Sequence, residues 1–169
     1  TLDSVRPFSR TATLDFNDGT LVLTGSETID STPPTKVLPS RFYLLNDNTV
    51  ATTINRVVQL DAASPVTALD GYTLTITLTE PQRVQALEIS NTPGGDGTGA
   101  VLLETVDGAF MDVGENPSLH IEQIPVVETA DTTRAALERG VLNLNNGTLE
   151  AHFSETMDNT PASGKVTSS

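Results

Sequence analysis

Oxygen donors gather at three places in this chain. Asp15, Asn17 and Asp18 share one predicted turn, Asp107, Asp112, Glu115 and Asn116 crowd a second, and Asp131 opens the segment beyond. Ca2+ takes about six to eight hard oxygen ligands at roughly 2.3–2.6 Å, a number that loops meeting at a domain junction can supply. Asp112, Asn116 and Asp131 are the expected calcium ligands. The competing reading is plain turn chemistry, since Asp and Asn side chains bond the backbone two residues on. No EF-hand loop is present, and no other cofactor is expected.

Nucleophilic and acid–base chemistry has less support. The chain has two histidines, His120 and His152, and no cysteine. No G-x-S-x-G occurs, so a Ser–His–Asp arrangement has no motif behind it. Disulfides, thiolate metal sites and cysteine nucleophiles are excluded. The 22 acidic residues offer many carboxylate pairs, yet glycoside hydrolysis needs two facing each other across a cleft, and no spacing singles out such a pair. Gly94-Gly95-Asp96-Gly97-Thr98-Gly99 has the glycine content of a phosphate loop. It lacks the Lys-Ser/Thr ending, and it follows a predicted helix instead of opening one. The expectation is a protein that is not an enzyme. Asn146-Gly147-Thr148 is the one N-glycosylation sequon with a permitted middle residue, which makes Asn146 the candidate attachment site.

The elements that carry these residues are marked by an internal repeat. Residues 14–33, LDFNDGTLVLTGSETIDSTP, return at 142–161 as LNLNNGTLEAHFSETMDNTP, at a constant offset of 128 with eleven identities in twenty positions and no gap. A period this long is a whole domain. The expected organisation is a linker or entry strand over 1–12, a β-sandwich repeat over 13–130, a linker over 131–140 and a partial second repeat over 141–169. On this reading the chain is a piece of a longer tandem array, in which stacked copies give reach. The repeat also weakens His152 as a general base, because its counterpart is Thr24.

Alternating apolar residues predict strands. Leu14, Phe16, Leu21 and Leu23 flank Asn17-Asp18-Gly19-Thr20, and Asp-Gly between two such runs marks a hairpin. Phe42 to Leu45, Val57 to Leu60 and Val101 to Leu103 read as short strands; Tyr72, Leu74, Ile76 and Leu78 give the clearest period-2 pattern. Thr79-Glu80-Pro81-Gln82 has the form of a capping box and opens a predicted helix over 80–89, with Val84 and Leu87 facing inward. The second hairpin, with Leu142, Leu144, Leu149 and Phe153, would expose unpaired strand edges. It is the expected assembly element, adding to or inserting into a neighbouring copy.

Composition limits the partners. A net charge of −13 repels phosphate backbones, so nucleic acid is not expected. No apolar run approaches the ~18 residues that span a membrane, and the chain opens without a leader pattern. Glycan recognition usually uses exposed aromatic platforms, and here there are two Tyr and no Trp.

The opening LDFNDGTLVLTGSETID, the strand-and-helix run GYTLTITLTEPQRVQAL, the segment GAFMDVGENP and the linker TADTTRAAL together resemble the bacterial-type Ig-like repeats of S-layer and giant cell-surface proteins. Ser26-Glu27-Thr28 matches the family's opening. Asp112-Val113-Gly114-Glu115-Asn116 differs from its late turn by one inserted residue, and Arg134-Ala135 stands where the family's linker has prolines. The resemblance implies an all-β, Ig-like antiparallel β-sandwich with one short helix. It also implies an extracellular, non-catalytic structural or adhesive domain of a coat, appendage or filament, whose partners are neighbouring copies or adjacent repeats. The alternative is a glycan-binding accessory module of a secreted or surface enzyme, with surface glycans as partners.

Overall fold

Leu74 and Ile76 are buried in the strand Gly71–Thr77 while the threonines between them lie at or near the surface. That is the period of a strand with one face on a core. The computed structural model describes residues 3–46, 58–95 and 99–157. It divides into two units, Thr1–Asp131 and Thr132–Ser169. Unit 1 contains β1 (Ser9–Asp15), β2 (Thr20–Asp30), β3 (Phe42–Leu45), β4 (Val58–Gln59), β5 (Gly71–Thr77), α1 (Glu80–Ile89), β6 (Leu102–Thr105), β7 (Met111–Asp112) and β8 (Ile121–Thr129). Unit 2 contains β9 (Leu137–Asn143) and β10 (Thr148–Phe153). The expected strand Val57–Leu60 is described from Val58 onward. The centre of the glycine-rich loop, 96–98, and the last repeat positions, 158–161, lie outside the described residues.

Unit 1 is mostly β, as expected, but its sheet is mixed. The strand order is β4-β3-β6-β8-β1-β2-β5, with β7 paired to β2. β8 changes partner along its length. Its first half pairs antiparallel with β6, from Thr105↔Ile121 to Leu102↔Pro125, and its second half pairs parallel with β1, from Ala12↔Val126 to Asp15↔Thr129. The wholly antiparallel arrangement expected from sequence is therefore corrected. Alternation within a strand reports which face is buried and carries no information on the direction of the neighbour. The sheet curls around a core that includes Phe16, Phe42 and Phe110; the last two rings stack with centroids 6.5 Å apart.

The helix begins as its capping residues dictate. The Thr79 amide donates to Gln82 Oε1 at 2.9 Å, and Pro81 occupies the first turn, where its missing N–H costs nothing. Its inward face differs from expectation. Gln82, Arg83, Ala86 and Ile89 are the buried positions, and Val84 and Leu87 are only partly covered. The two polar residues turn inward because partners await them. Gln82 Oε1 also accepts from Ser64 Oγ at 2.8 Å.

Arg83 is the more consequential. Its guanidinium donates to both oxygens of Glu80 (2.9 and 3.0 Å), to Asp131 Oδ2 (2.8 Å) and to the backbone carbonyl of Phe16 (2.7 Å). One buried cation thus joins the helix, the β1–β2 turn and Asp131, two residues beyond β8. Gly19 sits beside it at φ +73°, and a Cβ there would stand 3.3 Å from the Leu78 carbonyl oxygen and 3.5 Å from Arg83 Cδ. A bare backbone at this point lets the turn close on the arginine.

Unit 2 reproduces the first hairpin bond for bond. Every β1–β2 pair, from Ser9↔Gly25 to Asp15↔Thr20, recurs 128 positions later between β9 and β10, from Leu137↔Phe153 to Asn143↔Thr148, with the bulge at the same place. Gly19 N to Asp15 O (2.8 Å) becomes Gly147 N to Asn143 O (2.8 Å). Ser26 N to Phe8 O (2.9 Å) becomes Ser154 N to Ala136 O (2.9 Å). Even the serine hydroxyl contact recurs, Phe8 N to Ser26 Oγ and Ala136 N to Ser154 Oγ, both 2.9 Å. Both strands open earlier than the sequence reading places them. β1 starts inside the 1–12 segment expected as linker or entry strand, and β9 inside the expected 131–140 linker.

Removing one partner of a buried, hydrogen-bonded charge strands the others. Arg83→Met should destabilise unit 1 toward the lower end of about 3–5 kcal/mol, since Glu80 is half exposed. Denaturant unfolding of the variant beside the parent chain checks this, and an unchanged midpoint would show that the arginine is not structural.

Candidate functional site

Asp112 lies at the end of β7 and is buried, with its carboxylate turned into the late turn. Oδ1 accepts from the Asn116 amide at 2.8 Å and Oδ2 from Asn116 Nδ2 at 2.9 Å. The turn closes through Glu115 N to Asp112 O at 3.1 Å, with Glu115 in the left-handed region at φ 65°. Two of the three expected calcium ligands, Asp112 and Asn116, are therefore together. The third is not with them. Asp131 is held by Arg83, whose guanidinium already supplies the positive charge. The set Asp112, Asn116 and Asp131 is corrected accordingly.

The groups that do join Asp112 are Asp3 and Glu27. Ligand oxygens of the three carboxylates lie within 4.8 Å of one another. Gly114 permits this approach, because a Cβ there would stand 3.0 Å from Asp3 Cβ and 3.2 Å from Asp112 Oδ1. Burial raises the pKa of Glu27, and the like charges of Asp112 and Asp3 raise it further. Sequence spacing gives no hint of this grouping, which draws one residue from the entry segment and one from the far end of β2.

The remaining oxygen donors are used by the backbone. Asp15 Oδ1 accepts from Asn17 N (2.9 Å) and Asn17 Nδ2 (2.8 Å), and these bonds hold its pKa below the usual carboxylate range. Asp18 Oδ1 accepts from Thr20 N at 2.9 Å. Asp107 Oδ1 takes both Arg6 Nη2 (2.9 Å) and the His120 amide (3.0 Å).

In unit 2, Asn146 lies exposed on the β9–β10 turn, and its Oδ1 accepts from Thr148 N at 3.1 Å. The expected assembly residues are solvent-facing. Leu142, Leu144 and Leu149 are 58%, 84% and 68% exposed, whereas their unit 1 counterparts Leu14, Phe16 and Leu21 are 0%, 0% and 1% exposed. Phe153 stands where unit 1 has Gly25.

The two histidines have different surroundings. His152 Nε2 lies 3.0 Å from Arg139 Nη2 on the exposed hairpin. His120 Nε2 lies 3.0 Å from Glu104 Oε1 and 3.6 Å from Glu122 Oε1. This second carboxylate grouping was not expected from the sequence, although His-x-Glu at i, i+2 in extended backbone, here His120 just before β8 and Glu122 within it, turns both side chains to one side. A depression between the Pro34–Ser40 segment and the Ala62–Val66 loop is lined by proline, small and aliphatic residues, without an aromatic ring or a titratable side chain. Among the described residues no helix is long and apolar enough to cross a membrane.

No family model, no curated protein and no solved structure matches this chain.

A carboxyl whose folded pKa is raised contributes stability below its unfolded value, and that stability is lost as pH rises through the folded one. Glu27→Gln should therefore melt higher than the parent at neutral pH, and the difference should vanish below about pH 4, where glutamate is protonated in both states. Thermal melts across pH check this. Repeating them with calcium separates the two readings of the cluster. A cation held there raises the parent's melting temperature and not the variant's, whereas simple repulsion responds to neither.

Proposed function

We propose that this chain is a non-catalytic structural repeat of an extracellular, Ig-like tandem array, the unit of a cell-surface coat, appendage or filament. The observation that carries the reading is the duplicated hairpin. β9–β10 repeats the register, bulge, turn glycine and serine contact of β1–β2. It also keeps apolar residues, Leu142, Leu144, Leu149 and Ala151, at the counterparts of the buried Leu14, Phe16, Leu21 and Leu23. A two-stranded hairpin is marginal in water by itself, so its apolar face is read as the core face of a further body of the same fold. The placement outside the cell rests on the family resemblance alone.

Unit 1 also supports an in-line array. Its first and last strands are parallel neighbours, so the chain enters and leaves at opposite ends of that pair.

The residues favour an adjacent repeat over a second copy of unit 1 as the hairpin's cover. Phe153 replaces Gly25, whose nearest neighbours, Glu27 and Ile29, lie on β2 itself and would be exchanged with it. Leu144 replaces Phe16, Ala151 replaces Leu23 and Gly140 replaces Ala12, so the same slot would be underfilled elsewhere. Exchange of hairpins between identical copies is disfavoured by this underfilling.

The intact chain should accordingly run as a monomer in size-exclusion chromatography with light scattering, across concentration. Leu142→Asp/Leu149→Asp should leave the melting of unit 1 within about 0.5 kcal/mol of the parent, as for surface changes. Growing assemblies that the double variant dissolves would replace this reading with strand complementation between copies. Loss of unit 1 stability in the variant would show that the hairpin belongs to its core.

A further inference from the structure

β6, β8 and the residue just before β8 bring one imidazole and two carboxylates to a single point on the sheet surface. Thr105 is opposite Ile121, and both side chains turn inward: Thr105 is fully buried, and Ile121 packs against the core. Side chains alternate along a strand, so Glu104, beside Thr105, and His120 and Glu122, on either side of Ile121, share the outer face. Their ligand atoms lie within 4.8 Å of one another.

The separations suit a small divalent ion. Zn2+ binds imidazole nitrogen and carboxylate oxygen at about 2.0–2.2 Å in a tetrahedron, which puts neighbouring ligand atoms about 3.3–3.5 Å apart. His120 Nε2 stands 3.0 Å from Glu104 Oε1 and 3.6 Å from Glu122 Oε1, on either side of that value. The mixed nitrogen and oxygen set selects a borderline transition metal over Ca2+ or Mg2+, which prefer oxygen alone.

The frame is fixed before any ion arrives. The His120 amide donates to Asp107 Oδ1 at 3.0 Å, and Arg6 Nη2 holds the same oxygen at 2.9 Å. The preceding residue is tied down by Leu119 N to Pro7 O at 2.8 Å. His120 and Glu122 remain open to solvent, and the Glu104 side chain is largely covered, so the least mobile carboxylate is already against the imidazole.

We propose that Glu104, His120 and Glu122 form a three-ligand site for Zn2+ or a similar divalent transition metal, with water in the fourth position. The site is separate from the Asp3, Glu27 and Asp112 cluster and from the hairpin, and it does not depend on the array reading.

Calorimetric titration of the intact chain with zinc alone, at neutral pH, tests it. One ion should bind per chain. His120→Ala should weaken binding at least ten-fold, Glu122→Gln should weaken it by a smaller factor, and an excess of calcium should not compete. His152→Ala, which removes the only other histidine, should change nothing. Unsaturable binding, or binding indifferent to His120→Ala, would mean diffuse attraction to an acidic surface and would overturn the proposal. Should His120→Ala fail to match the parent's melt, the exposed Glu122→Gln reads the same loss in a folded chain.

Discussion

A single buried guanidinium holds unit 1 together where its sheet is least able to do so. The β1–β2 turn, the start of the helix and Asp131, just beyond β8, come from three distant parts of the chain, and Arg83 bonds to all of them. A charge removed from water is tolerated only when it is fully partnered. Here two carboxylates and a carbonyl oxygen meet that requirement and hold its pKa above the ordinary arginine value, the Glu80 bond contributing most. The same requirement explains why the helix presents Gln82 and Arg83 inward, beside Leu87, which packs against the core as expected. It also explains why Asp131 is engaged in the fold rather than in a cation site with Asp112.

The duplicated hairpin gives the molecule a built-in comparison. The same backbone pattern exists once under cover and once exposed. Under cover, the positions of Leu14, Phe16 and Leu21 are filled to the limits of packing. Exposed, the pattern of turns and bonds is retained, while the buried Ala12, Phe16 and Leu23 give way to the smaller Gly140, Leu144 and Ala151. Local signals in Asn-x-Gly-Thr and Ser-Glu-Thr set the hairpin. The identity of what covers it is written in the residues that differ.

This division marks what was legible in the sequence. Local order was: the β5 strand from its alternation, the helix from its capping residues, and the hairpin from its glycine turn and repeat all follow from neighbours within a few positions. Placement of strands beside one another was not. β8 serves two partners in opposite senses, and nothing in Ile121–Thr129 taken alone declares it. The candidate sites divide the same way. Asp112 and Asn116 were found because they are four apart on one turn. Asp3, Glu27 and Glu104 were missed because their roles depend on which strands lie adjacent.

The parallel pairing of β1 with β8 carries a mechanical consequence. Tension drawn between Ser9, where β1 begins, and Thr129, where β8 ends, pulls two side-by-side strands in opposite directions along their length. Their hydrogen bonds then bear the load in shear, all together, instead of peeling apart one by one as in a hairpin pulled at its open end. The Phe16 N to Thr129 O bond (3.0 Å) and the Arg83 contacts to Phe16 and Asp131 stand at the end where β8 leaves. Extension must break that latch before the core can open, so the contacts that close the fold are also those that resist stretching it.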